Sequence, residues 1–142
     1  DELVGGILSA GPNRLEAAGQ AGIPQIVSAG ALDMVNFGPM DSIPAKFEGR
    51  NLVPHNPLNT LMRTTVEENI ELARIIASKL NKATGKTIFL MPLKGVSMLD
   101  AEGGPFYDPD ADKSHERNAE ICRKIIFRCR SVRRCCRGLR RW

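Results

Sequence analysis

With 142 residues and 42% apolar side chains, the chain is long enough for one domain with its own core. It holds no apolar run near the roughly 20 residues of a membrane-spanning helix, and no charged, then apolar, leader opens it. The net charge of +4 hides two unlike parts. Residues 1–113 carry ten Lys and Arg against fourteen Asp and Glu, a balance of −4; residues 114–142 carry ten against two, a balance of +8. The chain starts at Asp1 and reads as a piece of a longer, cytoplasmic protein.

Leu3-Val4-Gly5-Gly6 reads as the end of an element entering a glycine turn. Pro12 suits a first helical position, so Asn13 to Ala21 is expected as a short helix with Gly22 as its left-handed cap. Gln25 to Ser28 is a short buried strand. Ala29 to Arg50 reads as loop, with two prolines and three glycines. Asn51 to Val53 is another short strand, ended by Pro54 and Pro57.

Thr65 and Glu68 have the spacing of a capping box. Val66, Ile70, Ala73, Ala77 and Leu80 follow at helical spacing, with Leu72 and Ile76 widening the face. They predict a helix over Val66 to Lys82, closed by Gly85. Thr87 to Leu90 reads as a buried strand. Met91 to Asp108 has no period, and loops that long are usually functional or disordered. Asp108 suits the N-cap of a last helix, with Asp110 and Asp112 favourable in its first turn. The expected fold is α/β: a partial Rossmann-like layered domain with about three strands in a mostly parallel sheet.

Several segments carry chemistry, each beside a plainer reading. Ser9-Ala-Gly-Pro-Asn-Arg14 opens a predicted helix, whose free N–H groups favour an anion; it also reads as a simple capped start. Ser28, Gly30, Asp33 and Asn36 stand at a strand end and suit either a ribose, phosphate or metal-bound water, or turn chemistry. His55, the single histidine before Lys113, suits a structural hydrogen bond. Arg63 suits a phosphate or carboxylate ligand, or a pair with Glu67. Lys94 beside Gly95 is a candidate nucleophile if buried. Asp108, Asp110 and Asp112 imitate the start of a calcium loop, but Lys113 and Ala119 stand where glycine and glutamate are needed. No metal set, Walker A sequence or Ser-His-Asp order is present.

The last part differs in kind. Cys122, Cys129, Cys135 and Cys136 lack zinc-site spacing. Nine arginines in the last 26 residues suit non-specific nucleic-acid binding, with Phe127 and Trp142 as the aromatics available for stacking. An abrupt change to Arg and Cys is also what an altered reading frame gives. Residues 114–142 are therefore read as a basic tail, helical at its start or not native.

Four blocks together resemble a known family. They are Gly5-Gly-Ile-Leu-Ser-Ala-Gly-Pro-Asn-Arg-Leu15, Gly30-Ala-Leu-Asp-Met-Val-Asn-Phe-Gly38, His55-Asn-Pro-Leu-Asn-Thr-Leu-Met-Arg-Thr-Thr65 with Glu68-Asn69, and Pro92-Leu-Lys-Gly-Val-Ser97 through Gly103-Gly-Pro-Phe-Tyr-Asp108. They resemble the uncharacterised protein family that includes the ATP-binding domain of the tomato mosaic virus resistance protein. The resemblance covers about residues 1–113. Beyond Lys113 the family would continue with a helix, a strand and a motif of His, Asn, Asp and Pro, from which this sequence departs.

The resemblance implies a second α/β subdomain of a longer protein. It implies ATP as ligand, with magnesium alongside. The partners it implies are the first subdomain of the same protein, a homodimer and, by analogy with the plant relative, a viral replication protein; nucleic acid enters through the tail alone. The expected site combines Ser9, Gly11, Arg14, Asn36, Arg63, Lys94, Gly95, Gly103 and Gly104. An enzyme using Lys94 or His55 with Asp33 or Asp100 as acid and base on a phosphorylated or carbonyl substrate is the alternative.

Overall fold

A computed structural model of the chain describes residues 1–119 and 125–129, with the side chains of residues 1–118. The order is α1 (Ala17–Gln20), β1 (Gln25–Ser28), β2 (Met34–Phe37), β3 (Leu52–Asn56), β4 (Asn59–Arg63), α2 (Val66–Asn81), β5 (Thr87–Pro92), α3 (Pro109–Ala119) and β6 (Ile125–Cys129), with two 3-10 turns between β2 and β3. The fold is α/β, and its strands form two sheets. One is parallel, in the order β1-β5-β6; the other is antiparallel, in the order β2-β4-β3.

The parallel sheet packs under α2. Ala73, Ile76, Ala77 and Leu80 meet Ala29, Phe89 and Met91 in one buried cluster, and burying each large side chain stabilises by roughly 1.5–3 kcal/mol. From Ala73 on, the buried face is the expected one, and the difference lies at the start of the helix. Val66 and Ile70 are half-buried, while Asn69 is buried. Asn69 tolerates this because its amide donates to Thr64 Oγ1 at 2.9 Å and to the Thr65 carbonyl at 2.8 Å. The antiparallel sheet holds a second cluster of Val35, Phe37, Phe47 and Met62.

The capping box at α2 is present: Glu68 N–H donates to Thr65 Oγ1 at 3.2 Å, and Thr65 N–H to Glu68 Oε2 at 2.8 Å. Thr65→Ala should therefore cost about 1 kcal/mol. A urea titration showing no loss would mean that Glu68 and its partner Arg50, 2.8 Å away, hold the helix start alone.

Several boundaries differ from expectation. Helix α1 begins at Ala17 because residues 12–16 form turns. Its end is as expected: Gly22 has φ +69, with Gly22 N–H bonded to the Gly19 carbonyl and Ile23 N–H to that of Ala18, a Schellman cap. Gly85 does not cap α2, whose cap is Lys82. A side chain at Gly85 would instead meet the Gly22 backbone, so glycine permits a close approach of two turns. β3 continues through Pro54, which is tolerated because β3 is an edge strand. The stretch expected as loop contains β2, whose partner β4 was also unforeseen. β2 alternates half-buried and buried residues over four positions, too few for a clear period.

After Lys113 the chain continues helical to Ala119, and β6 pairs parallel with β5. The side chains of the cysteines, of Phe127 and Trp142, and of the arginines beyond Arg117 lie outside what the structure describes.

Candidate functional site

The loops leaving the carboxyl ends of β1 and β5 meet. Ala31 N–H donates to the Val96 carbonyl at 2.8 Å, and Ser97 Oγ donates to Asp33 Oδ2 at 2.6 Å. In α/β sheets this edge is where ligands bind. Ala31 sits at φ +60, a left-handed conformation uncommon for a side chain with Cβ.

The long stretch after β5 is held by its own hydrogen bonds. Ser97 Oγ accepts from Leu99 N–H at 3.0 Å, and Asp100 Oδ2 accepts from Val96 N–H at 2.8 Å. Phe106 N–H donates to the Leu99 carbonyl at 2.9 Å. Two glycines permit this folding-back. A Cβ on Gly95 (φ +85) would lie 2.6 Å from the Asp100 carbonyl oxygen, and one on Gly104 would strike the Leu99 carbonyl.

Arg63 then pins the folded loop to β4. Its Nε donates to the Phe106 carbonyl at 2.8 Å and its Nη1 to Thr64 Oγ1 at 3.1 Å. Its Nη2 donates to Asp100 Oδ1 at 3.0 Å and to Asp112 Oδ1 at 3.1 Å. The side chain is 5% exposed. Three carboxylates, those of Asp33, Asp100 and Asp112, thus gather near one guanidinium. Asp33 is fully buried, and its Oδ1 has no partner among the described residues. Burial pushes the Asp33 carboxyl up. Asp112 is pushed up to about 7, first by burial and then by the neighbouring Asp100, against the pull of Arg63.

In front of this network lies a cleft of about 720 Å³ between the end of β5, the loop after it and the start of α3, with Lys94, Glu102, Tyr107, Asp112, Lys113 and Glu116 on its walls. Pockets for small molecules are commonly 300–1,000 Å³. Lys94 is exposed.

The nine residues expected to form one site separate. Lys94 and Gly95 line the cleft. Arg63 stands behind it, bound to Asp112. Gly103 and Gly104 follow Glu102 in the same loop. Ser9, Gly11, Arg14 and Asn36 lie outside its lining. Ser9 Oγ accepts from Gly11 N–H at 3.0 Å and pairs with Glu2. The helix on which an anion site there depends spans four residues from Ala17. Lys79 Nζ donates to the carbonyls of Pro12 and Arg14, so this segment presents oxygens to a cation. Asn36 Nδ2 donates to Asp1 Oδ2 at 3.1 Å. Arg63 pairs with Asp100 and Asp112, and Glu67 is not its partner. His55 is exposed near the hairpin turn of β3 and β4, while Arg63 and its carboxylates stand at the opposite end of β4.

Sequence reasoning missed the contribution of α3. Asp112 was read as a first-turn acid alone and Lys113 and Glu116 had no role, although Asp112 and Glu116 are four apart and Lys113 and Glu116 three apart, which puts them on neighbouring helical positions. It also missed His115, which is buried behind that face. Its Nδ1–H donates to the Asn69 carbonyl at 3.1 Å, and its Nε2 is unpartnered among the described residues. Burial holds its pKa down, so it is neutral near pH 7. Among the described residues, no group of three His, Cys, Asp or Glu side chains is placed to hold a metal ion. No described helix is long and apolar enough to cross a membrane.

The model of the uncharacterised protein family UPF0261 C-terminal domain matches residues 1–121. The chain belongs to this family. It is 60% identical over 114 residues to a UPF0261 protein of Clostridium tetani, covering 80% of this chain and 28% of that protein. It is 45% identical over 129 residues to the tomato ToMV resistance protein Tm-1(GCR237), covering 91% of this chain and 17% of that protein. The tomato ToMV susceptible protein tm-1(GCR26) is 44% identical over 134 residues, covering 89% and 18%. The chain thus spans less than a third of the curated relatives it matches. Proteins named for resistance and for susceptibility match it almost equally, so the likeness carries what the two share.

Proposed function

We propose that the chain is a nucleotide-binding α/β unit of a larger cytoplasmic protein, with ATP held in the cleft between the 91–107 loop and α3. The observation that carries this reading is the convergence of Lys94, Lys113 and the exposed Tyr107 on a cleft at the carboxyl end of β5. The two ammonium groups would meet phosphate oxygens, and the tyrosine ring offers a stacking face for the base. Glu102, Asp112 and Glu116 share the walls. The lining therefore matches a magnesium-bearing triphosphate better than a bare one: its metal would face the carboxylates and its free phosphate oxygens the lysines. The bound group would supply the phosphate and metal charges that this lining complements. The remainder of the longer protein, including its first subdomain, would act as partner, and a second copy could complete a homodimer. A part in virus resistance, through contact with a viral replication protein, extends to this chain by analogy with the tomato relative.

Calorimetry with Mg-ATP tests the reading. Lys94→Ala and Lys113→Ala should each weaken binding about tenfold or more, as loss of a charged hydrogen bond does. Unchanged affinity in both variants would rule out the cleft as the phosphate site.

A second reading is an enzyme acting on a phosphorylated or carbonyl substrate. It is favoured by one arrangement, the Asp112 carboxyl, pushed up to about 7 chiefly by burial, on the same cleft wall as Lys94. Turnover of such a substrate, lost in both Asp112→Asn and Lys94→Ala, would establish it.

A further inference from the structure

Strand β1 uses one of its two edges. Gln25 N–H donates to the Lys86 carbonyl at 2.9 Å and Ala29 N–H to the Leu90 carbonyl at 3.1 Å. Backbone groups of Gln25, Val27 and Ala29 therefore face β5, and those of Ile26 and Ser28 point the other way. β1 ends its sheet, and among the described residues these outward groups have no hydrogen-bond partner. Pro24 bounds the open stretch on one side, having no N–H; on the other, Gly30 N–H is taken by Ser28 Oγ at 3.2 Å. Ile26 is 57% exposed and Ile23, just before the strand, 55%. Proteins blunt such edges with charges, prolines, bulges or a covering segment. The antiparallel sheet does so on both sides. Its edge strand β3 holds Pro54 and a register shift between Pro54 and Asn56. The outer groups of Asn36 on β2 are met by the first residues: its N–H donates to Asp1 Oδ1 at 2.6 Å, and its carbonyl accepts Ile7 N–H at 2.8 Å. Gln25-Ile26-Val27-Ser28 has no charge, and its pairing with β5 has no bulge.

An open edge of this kind binds by strand addition: main-chain hydrogen bonds hold the incoming segment, and alternate side chains give the fit. The parallel sheet has three strands, fewer than the about four to six usual in a sheet, and the chain spans less than a third of the relatives it matches. We propose that the free edge of β1 is an interaction surface whose occupant is a β-strand from the remainder of the longer protein, bonded to the backbone of Ile26 and Ser28 and carrying an apolar side chain against Ile26. β1 then becomes an interior strand of a larger sheet. The window is too short to hold a separate molecule, whose stable interfaces bury roughly 1,200–2,000 Å² in all. A segment of the same polypeptide needs no such area, because linkage gives it a high effective concentration. This rests on the reading of the chain as one unit of a larger protein, and not on which ligand fills the cleft.

Amide hydrogen exchange, read residue by residue, tests this on the 142-residue chain and on the full-length UPF0261 protein of Clostridium tetani. In the 142-residue chain the Val27 N–H, which faces β5, should exchange about 100-fold more slowly than those of Ile26 and Ser28. In the full-length protein the two matching edge amides should slow by about 100-fold. Fast exchange of both in the full-length protein would overturn the proposal. So would slow exchange of both in the shorter chain: the edge would then be closed by the chain's own residues or, if the slowing grew with concentration, by a second copy. Val27 exchanging as fast as its neighbours would remove the strand that the proposal needs, and overturn it too. Ile26→Pro gives a second readout, because it deletes one edge-facing N–H and leaves the ladder to β5 in place. It should barely change the melting temperature of the shorter chain, whereas proline at the matching position should lower that of the full-length protein by several degrees. Equal shifts in the two proteins would count against an added strand. Calorimetry with Mg-ATP on the shorter chain reports on the cleft alone, so a failure there is distinguishable from a failure here.

Discussion

Replacing Arg63 by methionine should cost about 3–5 kcal/mol, the range for removing one partner of a buried charged network. Against the usual 5–15 kcal/mol of a domain, that is a large part of the total. Methionine keeps much of the apolar stem but supplies no donor. Asp100, fully buried, would keep the Val96 N–H and lose its cation, and the Phe106 carbonyl would lose its Nε donor. The pH dependence has a definite sign. Without the guanidinium, the Asp112 carboxyl, already held above its unfolded value by burial, rises further. Between the unfolded and folded values of Asp112 the folded state then binds more protons than the unfolded one, so stability grows as pH falls through that window. The deficit of the variant should therefore be largest at pH 8 and shrink toward pH 5. Adding Asp100→Asn and Asp112→Asn to Arg63→Met should recover much of the loss, because the three side chains form one network. A loss below about 1 kcal/mol at pH 8 in urea unfolding would contradict a structural role for Arg63.

Gly95→Ala is expected to be the next most damaging change. At φ +85 an alanine is strained, and its Cβ would lie 2.6 Å from the Asp100 carbonyl oxygen. Strain of the first kind costs about 1–2 kcal/mol. The second requires the loop backbone to move, so about 3 kcal/mol in all is expected, within the range for strained loop positions. Gly103 is the internal control. It has φ +83, but a Cβ there would meet nothing within 4 Å. Gly103→Ala should thus cost only the conformational part, about 1 kcal/mol. Equal shifts in melting temperature for the two variants would show that the fold-back between Gly95 and Asp100 carries no stability. Because Gly95 lines the cleft beside Lys94, its alanine variant should also weaken Mg-ATP binding, and Gly103→Ala should leave it nearly unchanged.

Local signals were readable where a short segment carries its own explanation. The Thr65–Glu68 box and the apolar face after it define α2 within one residue at its end. Gly22 closes α1 because the cap needs a positive φ. Asp108 caps α3, accepting from Ala111 N–H at 3.0 Å. The apolar runs of β1 and β5 read as buried strands, and they pair with each other; β5 is buried, but β1 alternates half-buried and exposed residues, with Ile26 57% exposed. The four sequence blocks pointed to the family, and the family model matches most of the chain.

What escaped sequence reasoning depends on pairing across distance. β2 is four residues long and is a strand because Met34 to Phe37 lie against Arg63 to Thr60. A separate antiparallel sheet beside the expected mostly parallel one follows from that pairing. Arg63 illustrates the limit most clearly. Before the cap of α2 it had the look of a phosphate ligand, and only the fold brings it against Asp100, 37 residues away, and Asp112.

By itself, the sequence determined the α/β class, α2 with its cap, the strands β1 and β5 and the family, because these rest on local periodicity, capping chemistry and long matched blocks. Tertiary structure alone decided that the stretch after β5 folds on itself over Gly95 and Gly104, that Arg63 holds it, and that Lys94 faces Asp112 and Lys113 of α3 across one cleft. The reason is physical. A helix face or a cap is set by neighbours within a turn, whereas a site is set by which distant carboxylates and cations are forced to share one buried volume.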